Sequence, residues 1–124
     1  MRNYSNLWNW GDIMSVTAAA NTLILNSVIA ESIDNIDVIS VIDAGGENVR
    51  KAYQAVEVIS TTERKYTFYF TELEAITDIL GFSLYGNGAT TTLGNGTEMC
   101  TQVAIMTKTG TQSLLIYWTV KVVV

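Results

Sequence analysis

The chain contains no histidine, no proline and a single cysteine. Histidine is the side chain whose ordinary pKa lies nearest neutrality. Its absence excludes Ser–His and Cys–His nucleophilic catalysis and leaves only acidic or lysine bases. The lone Cys100 rules out an internal disulfide and every multi-cysteine zinc or iron–sulfur site. In a β-type run it reads as a small buried hydrophobe rather than a reactive thiol. Charge is also scarce. Twelve acidic and 7 basic residues give a net charge of −5, and charged residues make up 15% of the chain, against roughly 25% in an ordinary soluble domain. The basic residues include two separated pairs, Arg50-Lys51 and Arg64-Lys65, which read as strand surface. They do not form the clustered cations that hold a phosphate backbone, so no nucleic acid partner is expected. No apolar run reaches the ~18 residues of a membrane-spanning helix. Arg2 is followed by Asp12 instead of an apolar signal core, so neither a membrane partner nor a cleaved signal is expected.

What the chain does have is apolar: 48% of its 124 residues. That length fits one domain burying about two thirds of its unfolded surface. Residues 1–15 form an arm rich in aromatics, and residues 16–124 form one β-rich domain. Few charges on a folded chain suit either a monomer or, equally, a subunit that hides part of its surface in an assembly.

The densest β pattern is the last quarter, residues 98–124. Val103 and Ile105 alternate with Gln102, Ala104 and Met106, and Leu114, Ile116, Trp118 and Val120 alternate with Leu115, Tyr117 and Thr119. β-Branched and aromatic residues at a period of two favour strands. Gly110 lies between the two runs and predicts a hairpin. The second run is apolar on both sides, so both its faces should be covered, and Trp118 should be core. Earlier, Ile36–Asp43 and the run from Val49 to Ile59 flank Gly45-Gly46, another hairpin signal. Tyr66, Phe68 and Phe70 alternate with Lys65, Thr67 and Tyr69 and predict the inner face of a sheet. Residues 16–32 suit either a helix or two short strands, Thr22–Leu25 and Val28–Ala30, and β-branched content favours the strands.

One helix is predicted, from Thr71 to Leu80. Thr71 and Glu74 have capping-box spacing, Leu73, Ile76 and Leu80 make a stripe beside Ile79, and Gly81 supplies a stop. Residues 86–97 contain Gly-Asn-Gly twice and predict tight turns in an exposed loop. Neither a lysine-containing phosphate loop nor GxGxxG occurs. Oxygen donors that could in principle meet calcium occur at Asp34, Asn35 and Asp37, and at Asp43, Glu47 and Asn48. Their spacing is not that of an EF-hand. The natural place of these acids is a strand edge and its turn. No metal or cofactor is expected, and no catalytic residue is assigned.

The fold expected is mainly β: an antiparallel β-sandwich or jelly-roll-like domain of about six to eight strands with one short helix. The apolar arm either packs across this subunit's own sheet or docks on a neighbouring subunit; in the second case Tyr4, Leu7, Trp8 and Trp10 are the candidate interface residues, because aromatics concentrate at interface cores. With its aromatic arm, low charge and Thr/Gly/Asn-rich turns, the chain resembles the small β-rich virion proteins of tailed bacteriophages, such as capsid decoration, head-fibre or tail components. That resemblance implies a non-enzymatic structural subunit of the virion. It would self-associate as a homo-oligomer or attach to other virion proteins, without a cofactor. The alternative is a small carbohydrate-binding or adhesion module in which Trp8, Trp10 or Tyr85 stacks on a sugar.

Overall fold

Alternation of apolar and polar residues becomes eight strands in the computed structural model, which describes residues 20–30 and 32–122. They are β1 (Ala20–Ile29), β2 (Ile36–Asp43), β3 (Gly46–Ala52), β4 (Ala55–Ser60), β5 (Glu63–Phe70), β6 (Asp78–Gly86), β7 (Thr97–Thr107) and β8 (Ser113–Val122). Two four-stranded sheets result: β1-β8-β5-β4 and β3-β2-β6-β7. Inner-face residues of both sheets form one core, so the architecture is β-sandwich-like. Tyr66, Phe68 and Phe70 lie on that inner face, as their spacing predicts. Facing them from the second sheet are Ile39, Val41, Phe82 and Leu84.

Trp118 is the largest side chain of the core and is 0% exposed. Its register partners are Tyr66 on β5 and Leu25 on β1. A buried indole needs an acceptor for its N–H. Ser27 supplies it: Trp118 Nε1 donates to Ser27 Oγ at 2.6 Å, and Ser27 Oγ lies 3.4 Å from Cys100 Sγ. This short polar chain joins β8, β1 and β7, and so links the two sheets. Cys100 is half-buried, and burial pushes its thiol pKa up, which suits a packing role.

Four expectations are corrected. First, β7 and β8 are not a hairpin, because they belong to different sheets. The 109–112 turn closes through Gln112 N to Thr109 O (3.3 Å) and Thr109 N to Gln112 Oε1 (3.2 Å). A turn reverses the chain whether the strands then pair edge to edge or face each other across a core. β8, apolar on both sides, takes a central place between β1 and β5. Second, pairing is not all antiparallel: β1 runs parallel to β8, from Ala20 opposite Ser113 to Ile29 opposite Val122. Short connections enforce antiparallel pairing only between consecutive strands, and these two are the first and last of the described strands. Third, residues 20–29 make one continuous strand, and the run from Val49 to Ile59 makes two. The latter breaks at Tyr53-Gln54, where β3 leaves the second sheet and β4 enters the first.

Fourth, the described residues contain no helix, and the stretch from Thr71 to Leu80 is a turn leading into β6. Only the carboxylate half of the capping box forms, and the Glu74 amide bonds the Thr71 backbone carbonyl instead of its hydroxyl. Thr71 N donates to Glu74 Oε1 at 2.8 Å, and Glu74 N to Thr71 O at 3.1 Å. Ala75 then takes a left-handed φ of 56°, which ends the turn at once. A helix this short has little stability of its own. The competing alternation from Asp78 onward gives β6 two strand neighbours, β2 and β7. Consequently Ile79 is core, while Leu73 is 84% exposed and Ile76 and Leu80 are also exposed.

Replacing Trp118 with alanine should cost about 3–5 kcal/mol of folding stability, the range for truncated core aromatics. Chemical denaturation checks this, and a loss below about 1 kcal/mol would contradict the placement.

Candidate functional site

A row of polar residues crosses the outer face of the second sheet. Arg50 on β3 is opposite Ser40 on β2, Ser40 is opposite Ser83 on β6, and Ser83 is opposite Thr101 on β7. An outer sheet face would ordinarily meet water. Here Arg50 is only 3% exposed, and Ser40 and Ser83 are buried. The 86–97 loop reaches Arg50 and its neighbour Glu47.

Arg50 organises the site. Its Nε and Nη2 donate to the two carboxylate oxygens of Glu47 at 2.7 and 3.2 Å. Its Nη1 donates to Thr90 O (3.0 Å) and Asn95 Oδ1 (3.1 Å) in the loop. The guanidinium carbon stands 4.1 Å from the centroid of the Tyr85 ring, a cation–π stack. Glu47 is answered in turn by Ser40 Oγ at 2.7 Å and by the Gly94 amide at 3.2 Å. A buried charge survives only when paired and hydrogen-bonded, and these partners meet that requirement. The Arg50 hydrogen bond holds the Glu47 carboxyl below its usual range, against desolvation. Burial, and after it the Glu47 charge, raise the Tyr85 hydroxyl pKa.

The loop is built to reach this cluster. Asn87, Gly88, Gly94 and Gly96 all have positive φ. Asp37 Oδ2 accepts the Gly88 and Ala89 amides at 3.0 Å each. Asn95 Oδ1 accepts the Thr90 amide at 2.9 Å. At Gly96, with φ +76°, a Cβ would collide with the buried Ala89. Most of residues 90–97 nevertheless remain exposed, as the sequence implies. At the other end of the row, Ser83 Oγ donates to Glu98 Oε2 at 2.7 Å and lies 3.0 Å from Thr101 Oγ1.

Chemically this arrangement is a clamp. Arg50 is not the strand-surface residue its sequence neighbourhood implies. The donors weighed for calcium are engaged by protein groups. Asp43 accepts from Thr77 Oγ1 (2.8 Å), Gly45 N (2.9 Å) and Asn48 Nδ2 (3.0 Å). The Thr77 bond is foremost in lowering its pKa. Asp34 pairs with Arg64 at 3.0 Å. Among the described residues no group of three His, Cys, Asp or Glu side chains is placed to hold a metal ion. Lys108 is buried, with Nζ 3.4 Å from Glu72 O and 3.5 Å from Thr109 O. Burial lowers its pKa.

The candidate interface residues Tyr4, Leu7, Trp8 and Trp10 lie outside the described residues, as do Trp8 and Trp10 as sugar platforms. Tyr85, the third such candidate, has one ring face taken by Arg50. What sequence reasoning missed is apolar surface on regular strands. Every residue of β4 is exposed, Val58 at 66%, and Val103 on β7 is 82% exposed beside Ile105. No family model, curated protein or solved structure matches this chain, so function must be argued from these surfaces.

Arg50→Met should cost about 3 kcal/mol, because it strands the Glu47 carboxylate without its cation. Arg50→Lys should rescue little, lacking the bidentate fork. Urea denaturation reads both. The depressed carboxyls of Glu47, Asp43 and Glu74 set the pH dependence. Their contribution is fully present above the ordinary carboxylate pKa of about 4 and lost as pH falls through the lower folded values. Melting temperature should therefore hold level near neutrality and fall below about pH 4. Glu47→Gln should make that fall shallower.

Proposed function

We propose that this chain is a structural assembly subunit of the virion type, working by self-association or by attachment to other capsid or tail proteins. The observation that carries this reading is β4. Val56 is in register with Tyr66 and Val58 with Arg64, on the side of the first sheet that faces the core, yet both valines are exposed. They extend the inner face past the cover of the second sheet, and Ile59 adds apolar surface beside them. Apolar area of this kind gains roughly 25 cal/mol per Å² when a partner covers it. The low charge content of 15% points the same way, and the internal pairing of Arg50 with Glu47 makes that cluster a fastening for the loop. The aromatic arm bearing Tyr4, Leu7, Trp8 and Trp10 is the second contact element in this proposal. Its partners are further copies of the chain and other virion proteins.

Deleting residues 1–12 and measuring mass in solution by sedimentation, with thermal unfolding across a concentration series, tests the reading. The intact chain should form an oligomer whose melting temperature rises with concentration. The truncated chain should keep a folded β spectrum while forming a smaller or weaker assembly. An intact chain that is monomeric at every concentration and binds glycans would replace this reading with the adhesion alternative.

A further inference from the structure

The partner that fits β4 is a second copy of β4. Sheet edges are aggregation templates unless protected by bulges, charge or cover, and the four edges here differ in protection. β3 carries the Arg50 clamp and the Lys51–Glu74 ion pair at 2.7 Å. β1 runs beside β7, where Gln102 Nε2 donates to the Asn26 carbonyl at 2.7 Å. β7 gains an extra residue at each of its two register shifts against β6, one between Leu84 and Tyr85 and one between Ile79 and Gly81. Such bulges twist an edge out of pairing geometry. β4 pairs regularly from Ala55 to Val58 against Thr67 to Arg64, with its one irregularity after Val58. It holds one charged residue, Glu57, already met by Lys65 at 3.2 Å.

We propose that β4 pairs antiparallel with β4 of a second copy about a two-fold axis at Val56, joining the two first sheets into one continuous sheet. This rests on the assembly reading and names its partner and contact. The register follows from faces and charge. A two-fold perpendicular to the sheet keeps each face on its own side, so residues directly opposite must share a face. Centring on Glu57 would set two carboxylates directly opposite, which destabilises. Centring on Val58 would place the register shift inside the pair. Centring on Val56 sets it opposite Val56 of the partner subunit, and Glu57 opposite Ala55 of the partner subunit. No like charges then oppose each other. The two valines meet on the core-facing side near Tyr53, which packs edge-on against Tyr66 at 5.3 Å between centroids. A contact this short lies below the ~1,200–2,000 Å² of stable interfaces, so this pairing is concentration-dependent.

The test uses the full chain. Val56→Cys in a Cys100→Ser background should form a disulfide-linked dimer under mild oxidation, at least about tenfold faster than Val103→Cys in the same background, because only the former places cysteines within disulfide reach. Val56→Lys, at an exposed position, should raise the concentration for half-dimerisation at least about tenfold and keep its β spectrum. Equal cross-linking at both positions, or an unchanged dimer in Val56→Lys, overturns the β4 pairing while assembly through another surface stands. A chain monomeric at all concentrations overturns the β4 pairing together with self-association, and leaves only the attachment half of the assembly reading, with β4 open to a strand of a different protein.

Discussion

The structure depends on giving Trp118 a dry environment and a partner for its indole N–H. Those two demands pull in opposite directions, since excluding water removes the easiest acceptor. Ser27 resolves them from the neighbouring strand, and its hydroxyl also lies against Cys100 across the sandwich. β1 must therefore sit beside β8 in one register, and β7 must pass close to β1. A one-residue slip of β1 would turn Leu23, Leu25 and Ser27 away from the core together. The parallel pairing of first and last strands is thus fixed by side-chain chemistry as well as by the backbone ladder. It also ties the two ends of the described chain into one sheet.

Much of the β content was legible because period-two alternation is local. Tyr66, Phe68 and Phe70 declare an inner face without knowledge of their neighbours, and Gly45-Gly46 marks a hairpin that forms between β2 and β3. Sheet membership was not legible. The stretch from Val49 to Ile59 reads as continuous alternation, yet at Tyr53-Gln54 it passes from one layer to the other. Nothing within ten residues distinguishes a strand that pairs with its predecessor from one that crosses the core. The Thr71–Glu74 capping pair is the complementary case. Its carboxylate-to-amide hydrogen bond was read correctly and its helix was not, because that bond satisfies one turn whatever follows. Two-sided ladder pairing of β6 then outweighs three further residues of helix.

The clamp was hidden for a different reason. Arg50 and Glu47 are three apart, a spacing that in a strand puts residues on opposite faces. The shift between Val41 and Ile42 in the β2–β3 pairing brings Glu47 round to the side of Arg50. With Ser40 opposite Arg50, the fork and its carboxylate converge on one face, and the glycine-rich loop closes over them. A bulge is a three-dimensional event that hydropathy does not record. The Gly-Asn-Gly repeats announce a loop with positive φ, but not what it folds against: Gly88 turns toward the Asp37 carboxylate, and Thr90 O, Gly94 N and the Asn95 side chain reach the Arg50–Glu47 pair.

Stability and the proposed association thus draw on different parts of the same sandwich. The second sheet spends a buried ion pair, whose desolvation is costly, on holding a loop against its outer face, and so protects the edge at β3. Among the described residues the first sheet has no equivalent at β4, where Val56 and Val58 are on the core-facing side yet exposed. A monomer designed for solubility would carry lysine or proline there, or end the strand sooner. Those protections cost little and were available, since the neighbouring β5 has Arg64 and Lys65 in register with Val58 and Glu57. An edge left apolar beside one so elaborately covered is what supports the proposal that this surface is held for a partner. Because backbone pairing would be the main attraction of such a contact and its apolar area is small, the proposed partner is a strand of matched twist and charge, the same one on another copy.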